Sequence, residues 1–121
     1  MDERRPNSEC ELVLSEDDAT PFSDRDVDEE VEVFATLGSE TRYRILLLLD
    51  AADGPVCVCE LEPHLEVGQS SISQSLSKLR KADLVSRTKE GRWRYYEPTP
   101  KAERLLETVP GAMTDTPAAT L

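Results

Sequence analysis

Two cysteines one residue apart, Cys57 and Cys59, carry the most reactive chemistry in this chain of 121 residues. Thiolates are soft ligands and select thiophilic ions. On a strand, residues i and i+2 point to the same side, so both sulfurs face one ion. On a helix they stand about 200° apart and cannot chelate without distortion. Val56 to Val58 reads as a short strand, which sets the two thiols side by side. Two alternatives stay open. Free cysteine also packs as a small apolar residue, so Val-Cys-Val-Cys can be buried filler. A thiol redox centre is the other, although a direct Cys57–Cys59 disulfide would be strained. The third cysteine, Cys10, lies between two glutamates and reads most simply as an incidental free thiol. The single histidine, His64, reads as an exposed helix-end residue. With one histidine and no glycine-rich phosphate loop there is no nucleophile–base constellation, and no enzyme is expected.

A second group of side chains lies in Gly68 to Asp83, GQSSISQSLSKLRKAD. At about 100° per residue, Ile72, Leu76 and Leu79 form one narrow stripe. Ser70, Gln74, Ser77, Lys78 and Lys81 fall on the opposite side. No acid occurs between Gln69 and Ala82, although the chain holds 25 acids. A solvated helix face ordinarily mixes Glu with Lys. Gln69, Ser70, Ser73, Gln74, Ser77, Lys78 and Lys81 are instead groups able to reach base edges and phosphates in a major groove. The plainer alternative is a polar surface helix.

Net charge is −11, unlike that of most nucleic-acid binders. The distribution matters more than the sum. Gly68 to Arg94 holds seven bases and two acids, a local charge of +5 inside a chain that is otherwise at −16. The acid excess and only four lysines give a halophilic composition. In high salt the counterion-release contribution to DNA binding is suppressed, so hydrogen bonds and groove fit carry more of the affinity.

These groups need elements to position them. Residues 1–28 are acidic, contain Pro6 and Pro21 and show no sustained period; they read as a flexible tail. A folded unit is expected over 29–109, with a second flexible tail over 110–121. Glu29 to Leu37 has a helical apolar repeat (Val31, Phe34, Leu37) and ends at Gly38. Ser39 caps a second helix, Glu40 to Ala51, whose buried side is Ile45, Leu46, Leu48 and Leu49. After Gly54-Pro55 and the cysteine pair, Pro63 restricts the third helix to a short piece. Glu66-Val67-Gly68 then turns tightly into the serine-rich helix, giving the helix-turn-helix pattern. Leu84 to Tyr96 reads as a hairpin around Gly91, with Arg87, Lys89, Arg92 and Arg94 at its tip and sides, placed to lie over phosphates. Pro100 to Val109 is a last helix. No apolar run is long enough for a membrane span, and no secretory h-region opens the chain. A reducing cytoplasm is therefore expected, where cysteines favour metal or redox chemistry over a disulfide framework.

The motifs together resemble the ArsR family of winged helix-turn-helix repressors. The resemblance runs through Val33-Phe-Ala-Thr-Leu-Gly-Ser-Glu-Thr-Arg-Tyr-Arg-Ile-Leu46, Cys57-Val-Cys-Glu-Leu61, Gln69-Ser-Ser-Ile-Ser-Gln-Ser-Leu-Ser-Lys-Leu79, and Ala82-Asp-Leu-Val85 with the wing. It implies a mainly α fold with a small β-hairpin and a homodimer packed through the first and last helices. It further implies binding to a twofold-symmetric double-stranded operator and release by an inducer. It also implies that Cys57 and Cys59 bind arsenite, antimonite or a soft divalent metal. The family's third cysteine falls at Glu62, an oxygen ligand poorly suited to arsenic, so a three-sulfur site needs Cys10 or a small external thiol. A second sensor site of the family, built from His and carboxylates on the last helix, is missing, since Lys101 to Val109 offers Glu103 and Glu107 without His. The competing readings are a winged-helix regulator answering a thiol redox or other signal, and a winged-helix module that binds an acidic protein.

Overall fold

Three helix starts among the described residues, those of α1, α2 and α5, are set by side chains that accept the orphan N–H groups of a first turn. In the computed structural model, which describes Val13 and residues 25–114, the Asp26 carboxylate accepts from the Glu29 N–H at 3.0 Å and opens α1, Val27–Thr36. Ser39 Oγ accepts from the Arg42 N–H at 3.3 Å and opens α2, Glu40–Ala51. Thr99 Oγ1 accepts from the Ala102 N–H and opens α5, Pro100–Met113. Between them lie the one-turn α3, Val58–Leu61, a 3-10 turn at Glu62–His64, and α4, Gln69–Lys81. The antiparallel wing follows, β1 Val85–Glu90 and β2 Trp93–Pro98, paired from Val85↔Pro98 to Glu90↔Trp93.

The expected α4 stripe is the centre of the core. Ile72, Leu76 and Leu79 are fully buried against Ile45, Leu46 and Leu49 of α2 and Leu61 of α3. Leu84, Val85 and Tyr96 seal the wing onto this layer, and Ala102 and Leu106 add α5. Of the expected α2 core residues only Leu48 is left half-buried.

The chain leaves α4 through Asp83, whose φ of 62° is left-handed. The Leu84 N–H bonds to the Leu79 carbonyl at 2.9 Å, closing a Schellman-type cap in which Asp stands where Gly is usual. Thr99 Oγ1 donates to the Asp83 carbonyl at 2.8 Å, tying the joint to the start of α5. At the wing tip Gly91 has a φ of 64°, in the first central position of the turn, which a type II′ hairpin reserves for glycine.

Two local expectations change. Val56 to Val58 is not a strand: only Val56 pairs, as an isolated bridge to Tyr96, and α3 begins at Val58. A strand needs a neighbour, and β2 offers one residue's worth of edge before α3 turns away. The last helix does not stop at Val109 but carries Pro110 within it and ends at Met113. Proline removes one N–H near a helix end, where a single lost bond leaves the neighbouring turns in place.

Candidate nucleic-acid interface and thiol site

The side of α4 facing away from its buried stripe is open. Gln69, Ser70, Ser73, Gln74, Ser77, Lys78 and Lys81 are all exposed, and only Ser75 among the polar residues is drawn into the core. Gln69 has a partner: its Nε2 donates to Glu62 Oε1 at 3.1 Å, bracing the start of α4 against the 3-10 turn.

On the wing, Arg87, Lys89, Arg92 and Arg94 are exposed and form no ion pair among the described residues. Lys89 lies directly across from Arg94. Like charges in that position repel by a few tenths to about 1 kcal/mol, a cost relieved when an anion lies over both. Gln69 and Ser73 of α4 share one groove with Arg92 and Arg94 of the wing. The two surfaces are thus presented together.

The cysteines line the same groove. Cys57 is the N-cap of α3, in extended conformation (φ −96°, ψ 164°), and Cys59 lies in the first turn. Neither the all-strand nor the all-helix geometry applies. One extended residue followed by a helical one folds the sulfurs together, with Cys57 Sγ and Cys59 Sγ 2.9 Å apart. Cys57 is anchored from behind by the Val56–Tyr96 bridge, at 2.9 and 2.8 Å, and in front by the Glu60 carboxylate, which accepts from the Cys57 N–H at 3.3 Å. The same Glu60 oxygen accepts from Cys57 Sγ at 3.4 Å. The hydrogen bond with Cys59, partial burial and the bond to Glu60 push the Cys57 thiol above its ordinary pKa, because each favours the protonated form.

A pair of convergent sulfurs fits a soft ion; the rest of a metal site is thinner. Among the described residues no three His, Cys, Asp or Glu side chains converge on one point. Glu62, at the position where the resemblance expects a third ligand, is turned to Gln69, and the carboxylate beside the sulfurs belongs to Glu60 instead. Spacing alone hides this, because Glu60 reaches back from the third position of a helix whose start was not visible. Cys10 lies outside the described residues. His64 is exposed at the end of the 3-10 turn, as expected.

A serine-faced helix seated on a leucine core, followed by a basic hairpin, defines a winged helix-turn-helix DNA-binding protein. Residues 39–87 match the family described as bacterial regulatory protein, arsR family. Over 80 residues the chain is 51% identical to the putative arsenical resistance operon repressor ArsR2 of Halobacterium salinarum, covering 66% of this chain and 67% of that protein. It is 39% identical over 70 residues to the arsenical resistance operon repressor of Escherichia coli K12, covering 58% and 59%. Among solved structures, HlyU from Vibrio cholerae N16961 superposes with a TM-score of 0.64 at 28% identity, covering 74% of this chain and 96% of that one. The chain belongs to the arsR family of DNA-binding transcriptional regulators, and is not an enzyme. Among the described residues no helix is long and apolar enough to cross a membrane.

Proposed function

We propose that this protein is a cytoplasmic, homodimeric repressor that leaves its operator when arsenite, antimonite or another thiophilic ion binds Cys57 and Cys59. The observation that carries this reading is the 2.9 Å approach of the two sulfurs at the edge of a groove whose other walls are Gln69, Ser73, Arg92 and Arg94. An ion there acts on the DNA-reading surface at once, through the wing via the Val56–Tyr96 bridge and through α4 by direct proximity. That is a coupling between two sites on one element pair.

Two convergent thiols select a thiophilic ion, and the arsenical-resistance names of the relatives favour arsenic among such ions.

Pairing is supported by α1, none of whose residues is buried, with Phe34 and Val31 71% and 59% exposed. Phe34, with the half-buried Val33 and Leu105, borders a groove between α1 and α5. Covering them in a second copy would recover about 25 cal/mol per Å² of apolar surface. The folded unit is taken to run from the start of α1 at Val27 to the end of α5 at Met113, wider at both ends than the expected 29–109. At high salt, which an acid-rich composition fits, hydrogen bonds and groove fit carry more of the DNA affinity.

The test is DNA release during titration with arsenite, antimonite, cadmium and zinc at working salt. Cys57→Ser and Cys59→Ser are expected to keep operator binding and lose release; Cys10→Ser weakens release only where the tail closes the site. Equal release from wild type and both serine variants would remove the thiolate reading. A thiol redox switch is the second reading, favoured by the same close sulfurs, and predicts release by a mild oxidant without any ion.

A further inference from the structure

We infer that the third ligand of an ion held by Cys57 and Cys59 is a small thiol bearing carboxylates, seated in the groove between the sulfurs and the wing and gripped by Arg92 and Arg94. This rests on the thiolate reading above and names the co-ligand of that same site.

Three observations lead here. First, the sulfur pair has no third soft partner among the described residues: Glu60 offers a hard carboxylate oxygen, and Glu62 is engaged by Gln69. Trivalent arsenic needs three bonds, so one must come from outside the pair. Second, the sulfurs open onto a surface groove of about 240 Å³, where one water needs only about 10–15 Å³ by a comparable measure. It accommodates a small organic ligand and not merely a hydroxide. Third, the same groove is lined by Arg92 and Arg94, whose guanidinium groups have no carboxylate partner among the described residues. Guanidinium forks match carboxylates in a bidentate manner, and charge-assisted pairs of this kind are the strong ones. A ligand with a sulfur at one end and carboxylates at the other spans the groove from thiols to arginines.

The exchange balances without an oxidant. Arsenous acid gives up three hydroxyl groups, which leave as three waters with the protons of Cys57, Cys59 and the external thiol. Three As–O bonds become three As–S bonds, and arsenic stays trivalent. Arg92 and Arg94, once occupied by carboxylates, are withdrawn from phosphate contact, so the co-ligand itself contributes to release.

The experiment uses the full chain under a phosphine reductant, with arsenite titrated in the presence of mercaptoacetate (anionic), 2-mercaptoethanol (neutral) or cysteamine (cationic). Binding is read from thiolate–arsenic absorption and from fluorescence of Trp93, the only tryptophan, which lines the groove. Wild type is expected to bind arsenite about tenfold more tightly with the anionic than with the neutral thiol, and least tightly with the cationic one. In Arg92→Gln/Arg94→Gln the anionic-to-neutral ratio falls to near one, which also controls for each thiol's own affinity for arsenite. An identical ratio in wild type and variant overturns the inference, as does full-strength binding without added thiol that Cys10→Ser abolishes. Should the double variant fail to fold, the single variants Arg92→Gln and Arg94→Gln supply the same ratio, and a ratio unchanged in both overturns the inference. Absence of any arsenite-dependent signal with every thiol overturns the thiolate reading, and this inference with it.

Discussion

The helices α1 and α4 differ by three residues in length, and both carry an apolar repeat, yet one is closed and the other open. In α4, Ile72, Leu76 and Leu79 have no exposed surface, and the polar face is left to solvent. In α1 no residue is buried, Phe34 is mostly exposed, and the helix is tied to α5 by the Lys101–Glu29 ion pair at 2.8 Å. The difference separates two requirements. A DNA-reading unit must hold its recognition helix rigidly, so one chain completes that core. The open apolar face of α1 is the surface that the proposed pairing of two copies would cover.

Truncating the closed side should have the largest effect. Leu76→Ala is expected to destabilise the fold by about 2–5 kcal/mol, seen as a lower denaturant midpoint, because it leaves a cavity among fully buried neighbours. Phe34→Glu on the open side should leave the monomer folded and shift sedimentation from dimer to monomer, with a loss of about 1.5–3 kcal/mol in association. If Phe34→Glu unfolds the chain as Leu76→Ala does, the contrast between the helices is wrong.

Smaller effects test the exposed face of α4 against the wing. Gln74→Ala should cost about 1–3 kcal/mol on the cognate operator and relax sequence preference. Lys89→Ala should weaken binding to all sequences alike and lower the salt slope by about one. Identical profiles would mean that both residues meet only phosphates. The smallest change is expected at the joint between the two elements. Asp83→Gly removes left-handed strain at φ 62° and should raise stability by up to about 1 kcal/mol in thermal unfolding, with DNA binding unaltered.

Much of this was legible from local pattern. The α2 span and its Ser39 cap, the α4 stripe and the hairpin around Gly91 follow from periodicity and turn chemistry, which act over a few residues. The end of α5 is not legible locally, because Pro110 looks like a terminator although proline near a helix end forfeits only one bond. Residue type reveals the cysteine pair but not its geometry. Strand and helix were the two options at that spacing, and the chain uses one residue of each.

The sequence by itself determined which face of α4 is apolar, where the wing turns and which residues carry thiols and positive charge, because each depends on neighbours within one or two turns of chain. Tertiary structure alone decided that the sulfurs meet at 2.9 Å, that they open onto the groove shared by Gln69, Ser73, Arg92 and Arg94, and that α1 is left uncovered. Those outcomes depend on Val56 bridging to Tyr96, forty residues away in the chain, and on the core being filled by α2, α3, α4, α5 and the wing before α1 contributes a buried residue. Contacts of that range leave no period in the sequence.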